Sequence, residues 1–125
     1  MISAATEEHV FSVVGFCGGG GAGVHGFQKS EARLGDSRGT YRVIGGYDWD
    51  PYACGVFEYM TGVKQACIDM TTLTGAKMRA LFGEEAPDLG LASYPCQGSS
   101  PLVSNAMAAT PKYAAMNELI VHGTE

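Results

Sequence analysis

Val10-Phe11-Ser12-Val13-Val14-Gly15-Phe16 runs directly into Cys17-Gly18-Gly19-Gly20-Gly21-Ala22-Gly23. The first seven residues make a short apolar run of β-branched and aromatic type that ends in glycines, which reads as a buried strand. Behind the glycines, Val24, Phe27, Glu31 and Leu34 recur at helical spacing, and Gly35 is placed to cap the end. The unit is a strand, a glycine loop and a helix. Ahead of it, residues 1–9 are polar and are expected to form a flexible N-terminus.

The same alternation continues along the chain. Residues 35–42 are polar and turn-rich, and Val43-Ile44-Gly45-Gly46-Tyr47 leads as a second strand into Asp48-Trp49-Asp50. Asp50 followed by Pro51 is an acidic N-cap with proline at the first helical position; Ala53, Val56, Phe57 and Met60 then share one face before Gly62 stops the helix. A third strand spans Gln65 to Asp69, Thr74 caps a short helix carrying Met78, Leu81 and Phe82 before Gly83, and Leu89 to Tyr94 forms a fourth strand. Thr110-Pro111 repeats the cap-plus-proline start, with Tyr113, Met116, Leu119 and Ile120 lining one face up to Gly123. The pattern predicts an α/β fold, a partial parallel sheet with helices on both faces, which is half of a doubly wound arrangement. A fifth strand is expected beside the fourth, and no residues remain to make it; the fourth strand is then an edge that another chain would cover.

Composition narrows the function classes. At 125 residues the chain holds one domain, and eight Lys and Arg against thirteen Asp and Glu give a net charge of −5, so the total does not predict binding to a phosphate backbone. Lys29, Arg33, Arg38 and Arg42 read as a solvated helix and turn. Cys17, Cys54, Cys67 and Cys96 stand far apart without metal-ligand spacing, His9, His25 and His122 are scattered, and no signal peptide or membrane-length apolar run occurs. A soluble, cytosolic, metal-free protein is expected.

Four features carry chemistry. Gly18-x-Gly20-x-x-Gly23, between a strand and a helix, fits the fingerprint of loops whose backbone amides approach a nucleotide-like ligand. Asp48, at the carboxyl end of the second strand, stands where an acidic residue accepts hydrogen bonds from a ribose diol. Trp49 either stacks on an adenine face or lies half-buried against the sheet, and Asp69 either reaches an adenine amino group or starts the following turn. Finally, Pro95-Cys96-Gln97 puts a thiol just past the fourth strand, ahead of Gly98, Ser99 and Ser100, where ligands bind in such sheets and where a thiolate could act as a nucleophile. Cys17, Cys54 and Cys67 fall in elements where packing is the better reading.

Together these segments resemble the DNA cytosine-C5 methyltransferase family, in order and spacing, over nearly the whole chain. Phe16-Cys17-Gly18-Gly19-Gly20-Gly21 with Gly26-Phe27 is similar to the first motif, Asp48-Trp49-Asp50-Pro51-Tyr52-Ala53 to the second and Cys67-Ile68-Asp69-Met70 to the third; Asp88 through Ser100 resembles the nucleophile motif. The resemblance implies a Rossmann-like S-adenosylmethionine-dependent methyltransferase fold over residues 10–125. It implies that Phe16, Cys17, Gly18, Gly20 and Gly21 contact S-adenosylmethionine, Asp48 its ribose, Trp49 its adenine ring and Asp69 the adenine amino group. Cys96 is then the nucleophile toward a cytosine flipped from duplex DNA, and Gln97, Ser99 and Ser100 lie in the loop that closes over the substrate.

The chain also departs from the family. Val14 and Gly15 stand where an acidic residue usually opens the first motif, and Asp48 replaces the commoner glutamate. The family's later glutamate, its arginine-bearing motif and its target-recognition domain have no counterpart before Glu125. The expectation is a fragment or split half of such an enzyme, completed by a C-terminal chain and located in the cytoplasm or nucleoid. Two other readings are a catalytically silent S-adenosylmethionine-binding or regulatory module and, from the glycine loop and Asp48 alone, an NAD-dependent oxidoreductase domain.

Overall fold

The computed structural model describes residues 7–83, 86–94 and 101–124. The elements in order are β1 (Glu7–Phe16), α1 (Ala22–Gln28), β2 (Glu31–Leu34), β3 (Ser37–Asp48), α2 (Pro51–Thr61), β4 (Gln65–Cys67), a 3-10 turn (Met70–Thr72), α3 (Gly75–Phe82), β5 (Leu89–Ala92), α4 (Asn105–Ala108) and α5 (Pro111–Thr124). The fold is mixed α/β with a partly parallel sheet. β1 lies between β3 and β5 and is parallel to both, and β4 runs parallel to the last residues of β3, from Gly46↔Gln65 to Asp48↔Cys67. All four parallel strands therefore point their carboxyl ends the same way.

Short apolar residues and capping groups explain most of these boundaries. Asp50 caps α2 by accepting a hydrogen bond from the Tyr52 amide at 3.0 Å, and Gly62 closes the helix in a left-handed conformation, φ 72°. Thr74 caps α3 through the Lys77 amide. Ser12, the one polar residue in the opening apolar run, donates through its backbone amide (2.7 Å) and its hydroxyl (3.0 Å) to the Asp88 carboxylate, which docks the start of β5 against β1. These bonds hold the Asp88 carboxyl below its ordinary range, the backbone bond most of all.

Helices cover both faces of the sheet, as the strand and helix alternation predicts. Val13, Val43, Val24 of α1 and Phe57 of α2 form the core cluster on one face, flanked by Phe27, Tyr41, Val63 and Leu91. Consecutive glycines of β3 show the two sides: a Cβ at Gly46 would stand 3.1 Å from the Phe57 ring of α2, and one at Gly45 would stand 2.8 Å from the Phe82 ring of α3. The α3 face is the thinner one, since no residue of α3 is buried.

Several expectations need correction. The helix expected from Val24 to Leu34 ends at Gln28, where the Ser30 hydroxyl donates to the Phe27 carbonyl, and Glu31–Leu34 turns back as antiparallel β2. Gly35, φ 56°, opens the two-residue hairpin loop between Leu34 and Ser37 instead of capping a helix. The helical spacing of Glu31 and Leu34 marks no buried face: every residue of β2 is exposed, Leu34 at 86 %. Arg33 and Arg38 are held by Glu31, with Arg38 also reaching Glu8, so they are hairpin ion pairs and not a cationic patch.

The long β3 changes both termini of the reading. Glu7, Glu8 and His9 pair with Ser37, Arg38 and Gly39, so the strand begins inside the segment expected to be flexible. β4 stops at Cys67 and β5 at Ala92, both short of Asp69 and Tyr94, and α4 was not anticipated. Cys96, Gln97, Ser99 and Ser100 lie outside the described residues, as do the side chains of Leu119 and Ile120.

Two glycine substitutions should separate backbone constraint from helix propensity. Gly21 precedes α1 at φ 83°, and a Cβ there would stand 2.9 Å from the Phe57 ring. Gly21→Ala should therefore cost about 1–3 kcal/mol. Gly26, inside α1, has open space around it, so Gly26→Ala should add about 0.5–1 kcal/mol. Urea denaturation midpoints of the two variants check both directions.

Candidate functional site

The carboxyl ends of the parallel strands surround a cavity of about 810 Å³. It opens where β1 separates β3 and β4 from β5, the switch point at which ligands bind in open α/β sheets. Cys17 and Gly19 contribute from the loop after β1, Tyr47, Asp48 and Trp49 from the end of β3, and Cys67, Ile68 and Asp69 from the end of β4. Met70 and Thr71 of the 3-10 turn, Ser93 and Tyr94 after β5, and Ala115 and Met116 of α5 complete the lining.

The glycine loop is pinned on both sides of a single residue, Gly19. The Gly19 amide donates to Asp48 Oδ2 at 2.9 Å, and the Gly19 carbonyl accepts from Gln65 Nε2 at 2.9 Å. Asp48 Oδ1 accepts from the Asp50 amide at 3.0 Å, so one carboxylate ties the loop to the turn that starts α2. A carboxylate offers about four lone-pair sites; two are used by the backbone, and the residue still lines the cavity. Gln65 is 2 % exposed and its Oε1 has no hydrogen-bond partner among the described residues. That oxygen sits where a Cβ at Gly18 would have to go, which is why the loop needs glycine there.

The expected site residues divide into two groups. Cys17, Asp48, Trp49 and Asp69 all line the cavity, as does Gly19. Phe16 packs on Tyr47, ring centroids 5.4 Å apart, and covers Gly90 of β5, so it supports the wall. Gly20 and Gly21 face Val56 and Phe57 of α2. Their role is to let the loop lie flat on that helix. Trp49 is 71 % exposed at the rim, which excludes the half-buried alternative. Asp69 does start the following turn, accepting from the Thr71 amide at 2.9 Å and hydroxyl at 2.8 Å, and lines the cavity as well.

Other residues were not anticipated. Gln65 left only a weak trace in sequence, a polar residue opening a very short strand. Cys67, expected to pack, is exposed and faces the cavity. Ser93 and Tyr94, the last described residues before Pro95, also line it.

The lining has a definite electrostatic character. Among the described residues it contains two aspartates and no lysine or arginine, alongside the aromatic and thioether surfaces of Tyr47, Trp49, Tyr94, Met70 and Met116. Three of the loop amides are taken up internally: Gly18 donates to the Tyr47 carbonyl, Gly19 to Asp48 and Gly21 to the Gly18 carbonyl. Such a cavity suits a flat ring bearing hydroxyl or cationic groups better than it suits a pyrophosphate. No group of metal-ligating side chains occurs among the described residues, and no helix there is long and apolar enough to cross a membrane.

Cys17 adopts φ 51° and its Sγ lies 3.5 Å from Met70 Sδ. Burial first, and the Asp48 charge second, push its thiol up to about 11 from an ordinary 9.0. Burial chiefly does the same to Cys54. Between those two values the unfolded chain has released protons that the folded chain retains, so stability is full below about pH 9 and falls toward pH 11. Urea midpoints measured at about pH 8 and about pH 10.5 should show this loss. Cys17→Ser should make the fall shallower. Among protein-family descriptions, curated proteins and solved structures, none matches this chain.

Proposed function

We propose that this chain is the cofactor-binding, nucleophile-bearing part of a DNA cytosine-C5 methyltransferase. The observation that carries the reading is the convergence of Asp48, Trp49 and Asp69 on one cavity that lacks basic residues among the described ones. S-adenosylmethionine fits that lining by its chemistry, because it combines a ribose diol, an adenine ring and a sulfonium cation, and when bound it supplies an electrophilic methyl group. Asp48 has acceptor capacity left for the ribose hydroxyls, the exposed Trp49 face is available to the adenine ring, and Asp69 can accept from the adenine amino group. A dinucleotide is disfavoured because the described lining offers no lysine or arginine to its pyrophosphate.

Cys96 carries the covalent step in this reading. Its thiolate adds to C6 of a flipped cytosine, which makes C5 nucleophilic enough to accept the methyl group; C5 then loses its proton, the thiolate departs and the ring is restored. The acidic group that assists the cytosine, and the surface that reads duplex DNA, would come from a C-terminal complementing chain. β5 offers a place for it, since among the described residues this strand pairs only with β1.

The only tryptophan, Trp49, reports on the cavity directly. Titration with S-adenosylmethionine should change its emission, Asp48→Asn should weaken the apparent affinity about tenfold, roughly 1.4 kcal/mol, and NAD should have no effect. With S-adenosylmethionine and a complementing chain present, duplex DNA containing 5-fluorocytosine should be trapped as an adduct that Cys96→Ser abolishes. A response to NAD without one to S-adenosylmethionine would overturn the reading.

A further inference from the structure

Two thiols converge on consecutive backbone carbonyls, those of Asp48 and Trp49, at the wall of the cavity. Cys54 of α2 is buried, with Sγ 3.6 Å from the Asp48 carbonyl oxygen and 3.8 Å from that of Ala66. Ala66 immediately precedes Cys67, which is the register partner of Asp48 in the β3 and β4 ladder. Cys67 Sγ lies 3.5 Å from the Trp49 carbonyl oxygen, one residue beyond the carbonyl that Cys54 contacts. Gln65 Nε2, 3.7 Å from Cys54 Sγ, bounds the other side. Cys67 is exposed while Cys54 is covered, so one thiol is open to a solute and the other waits behind it.

We propose that Cys54 and Cys67 form an oxidisable dithiol which closes to a disulfide under peroxide, stapling α2 to the end of β4. The exposed Cys67 thiolate attacks one peroxide oxygen, the O–O bond breaks, and the departing hydroxide leaves as water after taking a proton; Cys67 becomes a sulfenic acid. Cys54 Sγ then attacks that sulfur, the S–S bond forms as the S–O bond breaks, and the Cys54 proton leaves with the hydroxyl as a second water. Two thiols have lost two electrons and one peroxide has been reduced to two waters.

The order of events follows from access. Cys54 is held as a thiol by burial and by the neighbouring Cys67, which protects it from direct oxidation until the sulfenic acid forms beside it. Cys17, by contrast, directs its sulfur to Met70 and has no cysteine beside it among the described residues. The staple would fix the turn from Asp48 to Asp50, and with it Trp49, at the cavity rim. The bond itself does not depend on which ligand the cavity takes.

The test uses the full chain and peptide mapping. After exposure to hydrogen peroxide, alkylation and tryptic digestion, cleavage after Lys64 places Cys54 and Cys67 on separate peptides, so a disulfide joins the two. The joined species should carry two fewer hydrogens than the separate thiol peptides, disappear with dithiothreitol, be absent in Cys67→Ser and persist in Cys17→Ser and Cys96→Ser. Sulfinic acid at Cys67 with alkylated Cys54, or a disulfide from either residue to Cys17 or Cys96, would overturn the proposal.

Discussion

Gly19 is the residue on which the site depends. Its amide is held by the Asp48 carboxylate and its carbonyl by the Gln65 carboxamide, so residues from the ends of β3 and the start of β4 grip the loop that leaves β1. Both groups are shielded, and hydrogen bonds in a shielded setting gain strength while their loss leaves uncompensated polar atoms. The same Asp48 holds the amide of Asp50, whose own carboxylate caps α2. One short network thus fixes the loop, the rim tryptophan and the entry to the helix that packs on the core.

That network also limits what the cavity can bind. With the amides of Gly18, Gly19 and Gly21 taken up internally, the glycines act here through small size: Gly18 makes room for Gln65, and Gly20 and Gly21 make room for α2. What remains facing the ligand is acidic and aromatic. Oxidation of Cys54 and Cys67 would act on the same network from behind, because both sulfurs contact the backbone of Asp48 and Trp49. The ligand-facing and the redox-sensitive surfaces share one turn.

Local chemistry made much of this legible in advance. Asp50-Pro51 and Gly62 bound α2 as expected, Thr74 starts α3, and the apolar run from Val10 to Phe16 lies in the central strand. Asp48, Trp49 and Asp69 were recognisable as cavity-lining positions because each stands at or just past the end of a strand in an architecture where strand ends meet. The β2 hairpin was not legible, since Val24, Phe27, Glu31 and Leu34 satisfy a helical period that Ser30 and the Gly35 turn interrupt. Nor was the strand character of Glu7 to His9, whose polar residues pair with β3 at the solvated end of the sheet.

Local sequence chemistry is enough to place most of the strand and helix alternation, the starts of α2, α3 and α5, and acidic residues at two strand ends. These depend on interactions within a few residues. Tertiary structure alone decided that the Asp48 carboxylate turns to Gly19, that Gln65 is buried beneath the loop, and that Cys54 and Cys67 meet on consecutive carbonyls. Most of these contacts join residues far apart in the chain, 18 to 46 positions for all but that of Cys54 with Asp48, and their existence depends on strand register and helix placement that no local pattern encodes.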